Sequence, residues 1–320
     1  MEKTPIQHTI NDWGRRGIPF LFIIDFEQEK PLAWPLSQVP QNVLYNFNGK
    51  TNSSRIRQPL PEVPYFVKNP VSLEEYRTKF DAVIGALKQG NSYLLNLTTS
   101  TYVETNLELS TIFSNANSKY AVCIEDQFVS FSPETFVKIQ GNYLYTYPMK
   151  GTINADLPEA QHRIMSDRKE EAEHATIVDL MRNDLSRVGR EVTLVKYRYY
   201  EVLNVQGKKI GQVSSEIRAK LPQDFASNLG DILYSLLPAG SISGAPKQKT
   251  VELIRSIEAE PRGYYTGVAF YFDGKSLDSC VLIRFLEKNG QFRSGGGITA
   301  QSVLESEYQE MIDKVYVPFY

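Results

Sequence analysis

Apolar and polar positions fall in short runs along this chain, each closed by a turn signal. The run Phe20-Leu21-Phe22-Ile23-Ile24-Asp25-Phe26, bounded by Pro19 and a charged segment, predicts a buried strand. Ser72 with Glu75 three positions on is an N-cap signal, predicting a helix to about Gln89 that Gly90-Asn91 ends. Tyr93 to Tyr102 reads as a strand. Phe136 to Ile139 and Tyr143 to Tyr147 predict a hairpin about Gly141-Asn142. Residues 158–165 and 168–183 read as helices. Val192 to Val205 and Gln212 to Leu221 predict strands about a Gly207-Lys208 turn, and residues 224–236 a helix. Ser243-Gly244-Ala245-Pro246 resembles an N-cap with an early-turn proline, opening a helix to about Ile257. A meander follows: Tyr265 to Phe272, Ser279 to Glu287 and Gln291 to Ser294, turning at Asp273-Gly274 and Asn289-Gly290. A last helix is expected from about Val303 to Tyr316.

Two-residue turns of this kind join antiparallel strands. The expected class is therefore α+β, with antiparallel sheets and flanking helices rather than a doubly wound parallel sheet. Residues 40–70 carry Pro40, Pro59, Pro61, Pro64 and Pro70 and predict a loop or lid rather than a domain linker. Residues 1–320 are read as a single domain, with no short-period repeat.

Composition narrows the function. With 35 basic and 37 acidic residues the net charge is −2, which gives no reason to expect nucleic acid or an acidic membrane surface as partner. No apolar run approaches the ~20 residues that cross a bilayer, and the start lacks a signal-peptide pattern. Cys123 and Cys280 have no CxxC spacing and are expected to be buried reduced thiols in a cytoplasmic protein. His8, His162 and His174 are too scattered to build a zinc site alone.

Several residues could carry chemistry. Tyr147-Pro148-Met149-Lys150-Gly151-Thr152 puts a lysine at a strand end, as a nucleophile or as a surface charge. Glu170 and Glu173 share a helix face, as do Glu307, Glu310 and Lys314. Facing pairs of this kind would repel unless a cation sat between them, and oxygen-only ligands suit magnesium. The alternative is two solvated helix faces. Arg284, in the apolar run Cys280 to Leu286, predicts a guanidinium in a central strand that needs an anion or an internal carboxylate. Gly295-Gly296-Gly297 is either a flexible turn or a place where backbone amides approach a carboxylate. Ser241 and the helix start at Ser243 divide in the same way, between local structure and an anion site. Glu134, in Ser132-Pro133-Glu134, stands as a loop carboxylate.

Taken in order, these stretches resemble the chorismate-binding enzyme family. That family includes anthranilate synthase large subunits, aminodeoxychorismate synthase component I, and isochorismate and salicylate synthases. The matching segments are Ser132-Pro133-Glu134, Pro148 to Thr152, Glu170 to His174 with Val178 to Leu180, and Arg182 to Val188. Pro238 to Lys247, Ile283-Arg284, Gly295 to Ile298 and Glu307 to Lys314 continue the series over residues 70–320. The resemblance implies that family's fold, a β-sandwich core flanked by helices, with residues 1–70 a reduced part of it. It also implies that the tryptophan pocket of longer members is largely missing and that tryptophan does not inhibit this chain.

Within the family, lysine before Gly151-Thr152 resembles the aminodeoxychorismate synthases, whereas anthranilate synthases usually carry alanine there. The resemblance then implies amination of chorismate to 4-amino-4-deoxychorismate, on the 4-aminobenzoate branch of folate synthesis, through a covalent Lys150 adduct. Such a lysine is expected to have a depressed pKa, from burial or nearby cations. Glu134 would be the general acid. Glu173 and Glu310 would bind Mg2+, with Glu170 and Glu307 acting directly or through water. Arg284, Lys314, Tyr271, Ser241, Thr152 and the amides of Gly295, Gly296 and Gly297 would hold the substrate's carboxylates. Ammonia would come from a glutamine amidotransferase on another chain, since no cysteine-centred glutaminase motif is visible. The competing readings are anthranilate synthase component I and a non-catalytic chorismate-binding paralogue. Three positions depart from the family. Leu94 stands for a glutamine, or for the lysine that activates water in other members. Gln212 stands for a histidine, and Phe270 for a glycine.

Overall fold

The computed structural model describes residues 3–54, 57–205 and 208–318. The chain opens with helix α1 (Pro5–Arg16), then strands β1 (Phe20–Ile24), β2 (Leu32–Pro35), β3 (Val43–Phe47), β4 (Lys50–Thr51) and β5 (Phe66–Asn69). Helix α2 (Leu73–Lys88), strand β6 (Leu94–Thr105) and helix α3 (Leu109–Asn115) follow. Next come β7 (Tyr120–Ile124), β8 (Phe128–Ser130), β9 (Thr135–Gln140), β10 (Tyr143–Thr146) and β11 (Met149–Asn154). Helices α4 (Ala160–Met165) and α5 (Arg168–Ser186) precede the long strands β12 (Arg190–Val205) and β13 (Lys208–Lys220). Helix α6 (Leu229–Leu236), strand β14 (Gly244–Ala245) and helix α7 (Lys247–Glu258) lead into β15 (Val268–Phe272), β16 (Leu277–Val281), β17 (Phe285–Glu287) and β18 (Gln291–Ile298). Helix α8 (Leu304–Asp313) ends the series.

The strands form two antiparallel sheets. One runs β11-β13-β10-β9-β16-β15-β1-β2 with β12 beside β13, and the other β14-β6-β18-β17-β8-β7-β3-β4 with β5 beside β6. They pack as a sandwich, and β1 explains why its sequence is unbroken apolar. Successive side chains point to opposite faces. Leu21 and Ile23 belong to one core cluster with Val43, Tyr45 and Val122 of the other sheet, while Phe20, Phe22 and Ile24 belong to another that includes Leu229 and Leu233 of the helical layer. The expected α+β sandwich is the observed architecture.

Residues 40–70, expected as a loop or lid, carry strands β3, β4 and β5, and the residues before them carry α1, β1 and β2. Helix α1 begins on a reciprocal cap, in which the Thr4 hydroxyl accepts from the Gln7 amide and the Gln7 side chain accepts from the Thr4 amide. Asn48-Gly49 turns the β3–β4 hairpin, and β1 is an interior strand of its sheet, paired with β15 and β2. The turn expected at Gly207-Lys208 includes Gly207, which lies outside the described residues. Both cysteines are buried and free. No helix among the described residues is long and apolar enough to cross a membrane.

Three local expectations are corrected. The strand expected over Ser279 to Glu287 is broken, because β16 belongs to one sheet and β17 to the other. Arg284 lies at the crossover with φ +53°, so it is not within a strand. The three glycines 295–297 form no turn. They pair with Thr98, Leu97 and Asn96 inside β18. Ser243 is not the cap of α7, whose N-cap is Pro246 with no side-chain bond. The Ser243 hydroxyl instead donates back to the Ala239 carbonyl, 2.9 Å away, so no anion site forms there through a Ser243 cap.

Candidate active site

A cavity of about 930 Å³ is lined by residues of both sheets and of the helices beside them. Strand β11 brings Lys150, Gly151 and Thr152 to its wall, at an irregularity in the pairing with β13 between Met149 and Thr152. The crossover contributes Ile283 and Arg284, and β18 contributes Gly295, Gly296 and Gly297. Helix α5 supplies Glu170, α8 supplies Glu310, and Lys314 follows its last turn. Glu134, from the loop before β9, and Ser241 complete the predicted set present on the wall. Side chains far apart in sequence thus meet on one surface.

Glycine is used here for space at Gly295, where a Cβ would stand 2.0 Å from the Leu97 carbonyl oxygen. A Cβ on Gly296 would make only ordinary contact, 3.4 Å from Glu310 Oε1 and 3.5 Å from both Glu307 Oε2 and Lys314 Nζ, which places the α8 carboxylates beside this strand. Gly151 has φ +87°, and a Cβ there would lie 2.9 Å from Glu170 Oε2.

The charges are interlocked. Lys150 Nζ lies 2.6 Å from Glu173 Oε2. Burial pushes this amine down, but its bond to Glu173 and the charges of Glu173, Glu170 and Glu310 outweigh that and leave its pKa raised. The depression expected for a nucleophilic Lys150 is therefore not found in the metal-free protein. The depressed amine is Lys314, lowered by burial although Glu310 lies 2.5 Å away; it also donates to the Gly295 carbonyl at 2.7 Å. Burial alone would raise Glu310, but Lys314 brings it below the ordinary glutamate value. The expected repulsion between facing carboxylates is thus already offset by two lysines. Enclosure raises the Glu134 carboxyl, against the opposing hydrogen bond donated by the Ser241 hydroxyl. A carboxyl whose pKa is raised this way holds its proton more firmly than an exposed one and can donate it where a leaving group needs it.

Not every expected residue arrives. Tyr271 is absent from the cavity wall. It packs with Tyr45 and Phe47, ring centroids 5.7 Å away in each case, and Lys50 Nζ sits 5.1 Å from its ring centre. Phe270, one residue earlier, points the other way and stacks on Phe22. The two-residue period of β15 cannot aim both at one site. A tyrosine that does line the cavity is Tyr265, buried in the turn before β15. Its signal was the aromatic pair inside Arg262-Gly263-Tyr264-Tyr265-Thr266-Gly267. Asn96, Arg293 and Tyr316 also line the wall without having been anticipated. Arg284 donates to the Tyr316 hydroxyl at 3.3 Å.

Leu94 stands behind the site, its Cδ1 3.0 Å from where a Gly297 Cβ would be. It lines a side void of about 100 Å³ together with Glu134 and Lys150. Gln212 pairs across from Thr152 but spends its amide on Glu201, at 2.6 Å, and on Ser214.

For a divalent cation the donor chemistry fits. Glu170 and Glu310 come from two helices onto one cavity, and Glu173 and Glu307 sit beside them, next to Lys150 and Gly296. Hard carboxylate oxygens with room for water and substrate oxygens suit Mg2+. Among the described residues no three such ligands already converge, so Lys150–Glu173 and Lys314–Glu310 would open to admit the ion.

Comparison with known proteins follows the same lines. The chain is 48% identical over 325 residues to an uncharacterized PabA-like protein of Haemophilus influenzae, covering 99% of this chain and 98% of the relative. It is 34% identical over 264 residues to aminodeoxychorismate synthase component 1 of Klebsiella aerogenes, covering 77% of this chain but 57% of that longer protein. Anthranilate synthase component I of Streptococcus pneumoniae has the same fold, with TM-score 0.71 at 20% identity over 98% of this chain and 85% of that one. The model of the chorismate binding enzyme family matches residues 27–319, and the chain belongs to that family.

Proposed function

We propose that this chorismate-binding enzyme makes 4-amino-4-deoxychorismate and water from chorismate and ammonia. The observation that carries the reading is Lys150, whose amine lines the same cavity as the protonatable Glu134. The Lys150 nitrogen forms a bond to ring C2, both ring double bonds shift, and the C4 hydroxyl leaves as water with a proton from Glu134. Ammonia then bonds at C4, the double bonds shift back, and the C2–N bond breaks to return the lysine amine. Arg284, Lys314, Thr152 and the amides of Gly295 to Gly297 hold the two carboxylates of the substrate. Ser241 orients Glu134 through its hydrogen bond. Mg2+ held by Glu173 and Glu310, with Glu170 and Glu307 directly or through water, supplies positive charge toward the ring carboxylate when bound.

The amine has to become neutral before it can attack, which requires Glu173 to release it. Ammonia is supplied by a glutamine amidotransferase on a separate chain, and the product feeds 4-aminobenzoate and folate synthesis in the cytoplasm. The Klebsiella relative, named aminodeoxychorismate synthase component 1, supports this choice within the family. Incubation of the purified chain with chorismate, Mg2+ and ammonium, followed by product identification, tests it. The expected product is 4-amino-4-deoxychorismate. Anthranilate or isochorismate as the main product, or none at all, overturns the proposal.

A further inference from the structure

Strand β6 has an interrupted edge. One side pairs with β18 along its length, from Tyr102↔Gln291 to Leu95↔Ile298. The other side is covered by β14 at Leu94 and Leu95 and by β5 from Tyr102 to Thr105. Between these covers, backbone groups at Asn96 and Thr98 need partners.

Two charged side chains supply them. Arg262 is 1% exposed and Glu258 5%. Arg262 donates to both Glu258 oxygens, at 2.8 and 2.6 Å, and to the carbonyls of Asn96 at 2.8 Å and Ile242 at 2.9 Å. Glu258 accepts from the Thr98 amide at 2.9 Å and the Thr98 hydroxyl at 3.0 Å. Neither charged residue lines the cavity, but their partners carry its wall. Asn96 and Thr98 pair with Gly297 and Gly295, and Ile242 follows Ser241. Asn96 itself lines the cavity, and its buried Oδ1 has no protein partner.

We propose that Arg262, held by Glu258, is a positioning residue that fixes Asn96, the glycine strand and the Ser241 turn in the register that binds chorismate. A planar fork of donors can satisfy two carbonyls and a carboxylate together, which a lysine ammonium in the same place cannot do with the same geometry. The inference rests on chorismate binding, not on which product forms.

The test is calorimetric chorismate affinity of the purified chain with Mg2+, measured where circular dichroism shows each protein fully folded. Wild type must bind first, and its failure would count against the family reading rather than this one. Arg262→Lys and Glu258→Gln are expected to weaken binding at least about tenfold. A control of similar thermal stability, Val43→Ala between the sheets and away from the cavity, is expected to bind as wild type does. Folded Arg262→Lys with affinity within about twofold of wild type overturns the proposal. Should both variants unfold, hydrogen exchange on the native chain decides. Chorismate is expected to slow exchange of the Thr98 amide, which lies off the cavity wall, and an unchanged rate there overturns the inference.

Discussion

The Lys150 ammonium lies 2.6 Å from the Glu173 carboxylate. The residue proposed to attack the ring is thus held by a residue proposed to hold the cation, and one cannot act until the other lets go. Glu173 also contributes most of what raises the Lys150 pKa. In the metal-free protein, acylation of Lys150 by a small anhydride is expected to stay slow until the pH passes the ordinary lysine value of 10.5. In Glu173→Gln the onset should move to lower pH. Peptide mass spectrometry over a pH series checks this, and identical onsets would show that Glu173 does not control the amine. The sign for stability is the same. A raised lysine pKa contributes stability that is fully present below 10.5 and is lost as pH rises through the folded value.

Lys150→Ala is expected to lose 4-amino-4-deoxychorismate formation by on the order of 10³-fold or more. Chorismate binding should persist, because Arg284 and Lys314 remain on the wall. Free ammonia adding at C2 would then favour a 2-amino product. Mass spectrometry of the quenched native enzyme should show a chorismate-derived adduct on the Lys150 peptide. Native-rate turnover by the alanine variant would falsify the covalent role.

Glu134→Gln removes the proton donor and should lower turnover roughly 10²- to 10⁴-fold with little change in chorismate affinity. Ser241→Ala acts more subtly. The lost hydrogen bond had favoured the charged carboxylate, so the carboxyl should stay protonated to higher pH. The alkaline limb of the rate profile is expected to move upward. A limb that stays in place, or moves down, rules Glu134 out as the group titrating there.

Gly151→Ala meets two obstacles at once, φ +87° and the Glu170 carboxylate 2.9 Å from the new Cβ. The backbone strain alone should cost about 1–2 kcal/mol. Thermal unfolding should fall accordingly, and Mg2+ should stabilise this variant less than wild type because Glu170 is displaced. Equal Mg2+-induced shifts in both proteins would remove Glu170 from the ion's surroundings.

Glu310→Gln is expected to destabilise the metal-free chain at neutral pH, by under about 1 kcal/mol since the carboxylate is partly exposed. The reason is that Glu310 is paired with Lys314 rather than repelled by its neighbours. Its lowered pKa contributes stability present above the ordinary value of 4.5 and lost as pH falls through the folded value. Urea unfolding at neutral and acid pH should therefore show the gap between wild type and variant closing in acid. A more stable variant at neutral pH would restore the repulsion view.

What the chain's order of residues determined by itself is mostly local. Periodicity and turn residues decide whether a segment is helix or strand, and two-residue turns decide that neighbours run antiparallel. Ser72 with Glu75, Gly141-Asn142 and the apolar run of β1 each carried their element, because the forces involved act within a few residues. The ordered motifs also brought Lys150, Glu134, Glu170, Glu310, Ser241, Arg284, Lys314 and the three glycines into one candidate site, and the cavity unites them. Tertiary structure decided the rest. The strand expected through Arg284 is broken because the chain changes sheets there, a fact that no window of residues contains. Tyr271 faces Tyr45 because the register of β15 against β1 sets which of its side chains point to that face, whereas Tyr265 reaches the cavity from the turn before β15. The charge state of Lys150 could not be read from its neighbours in sequence. It depends on Glu173, brought to within 2.6 Å by the packing of α5 on β11, and electrostatic energy follows distance in space rather than separation along the chain.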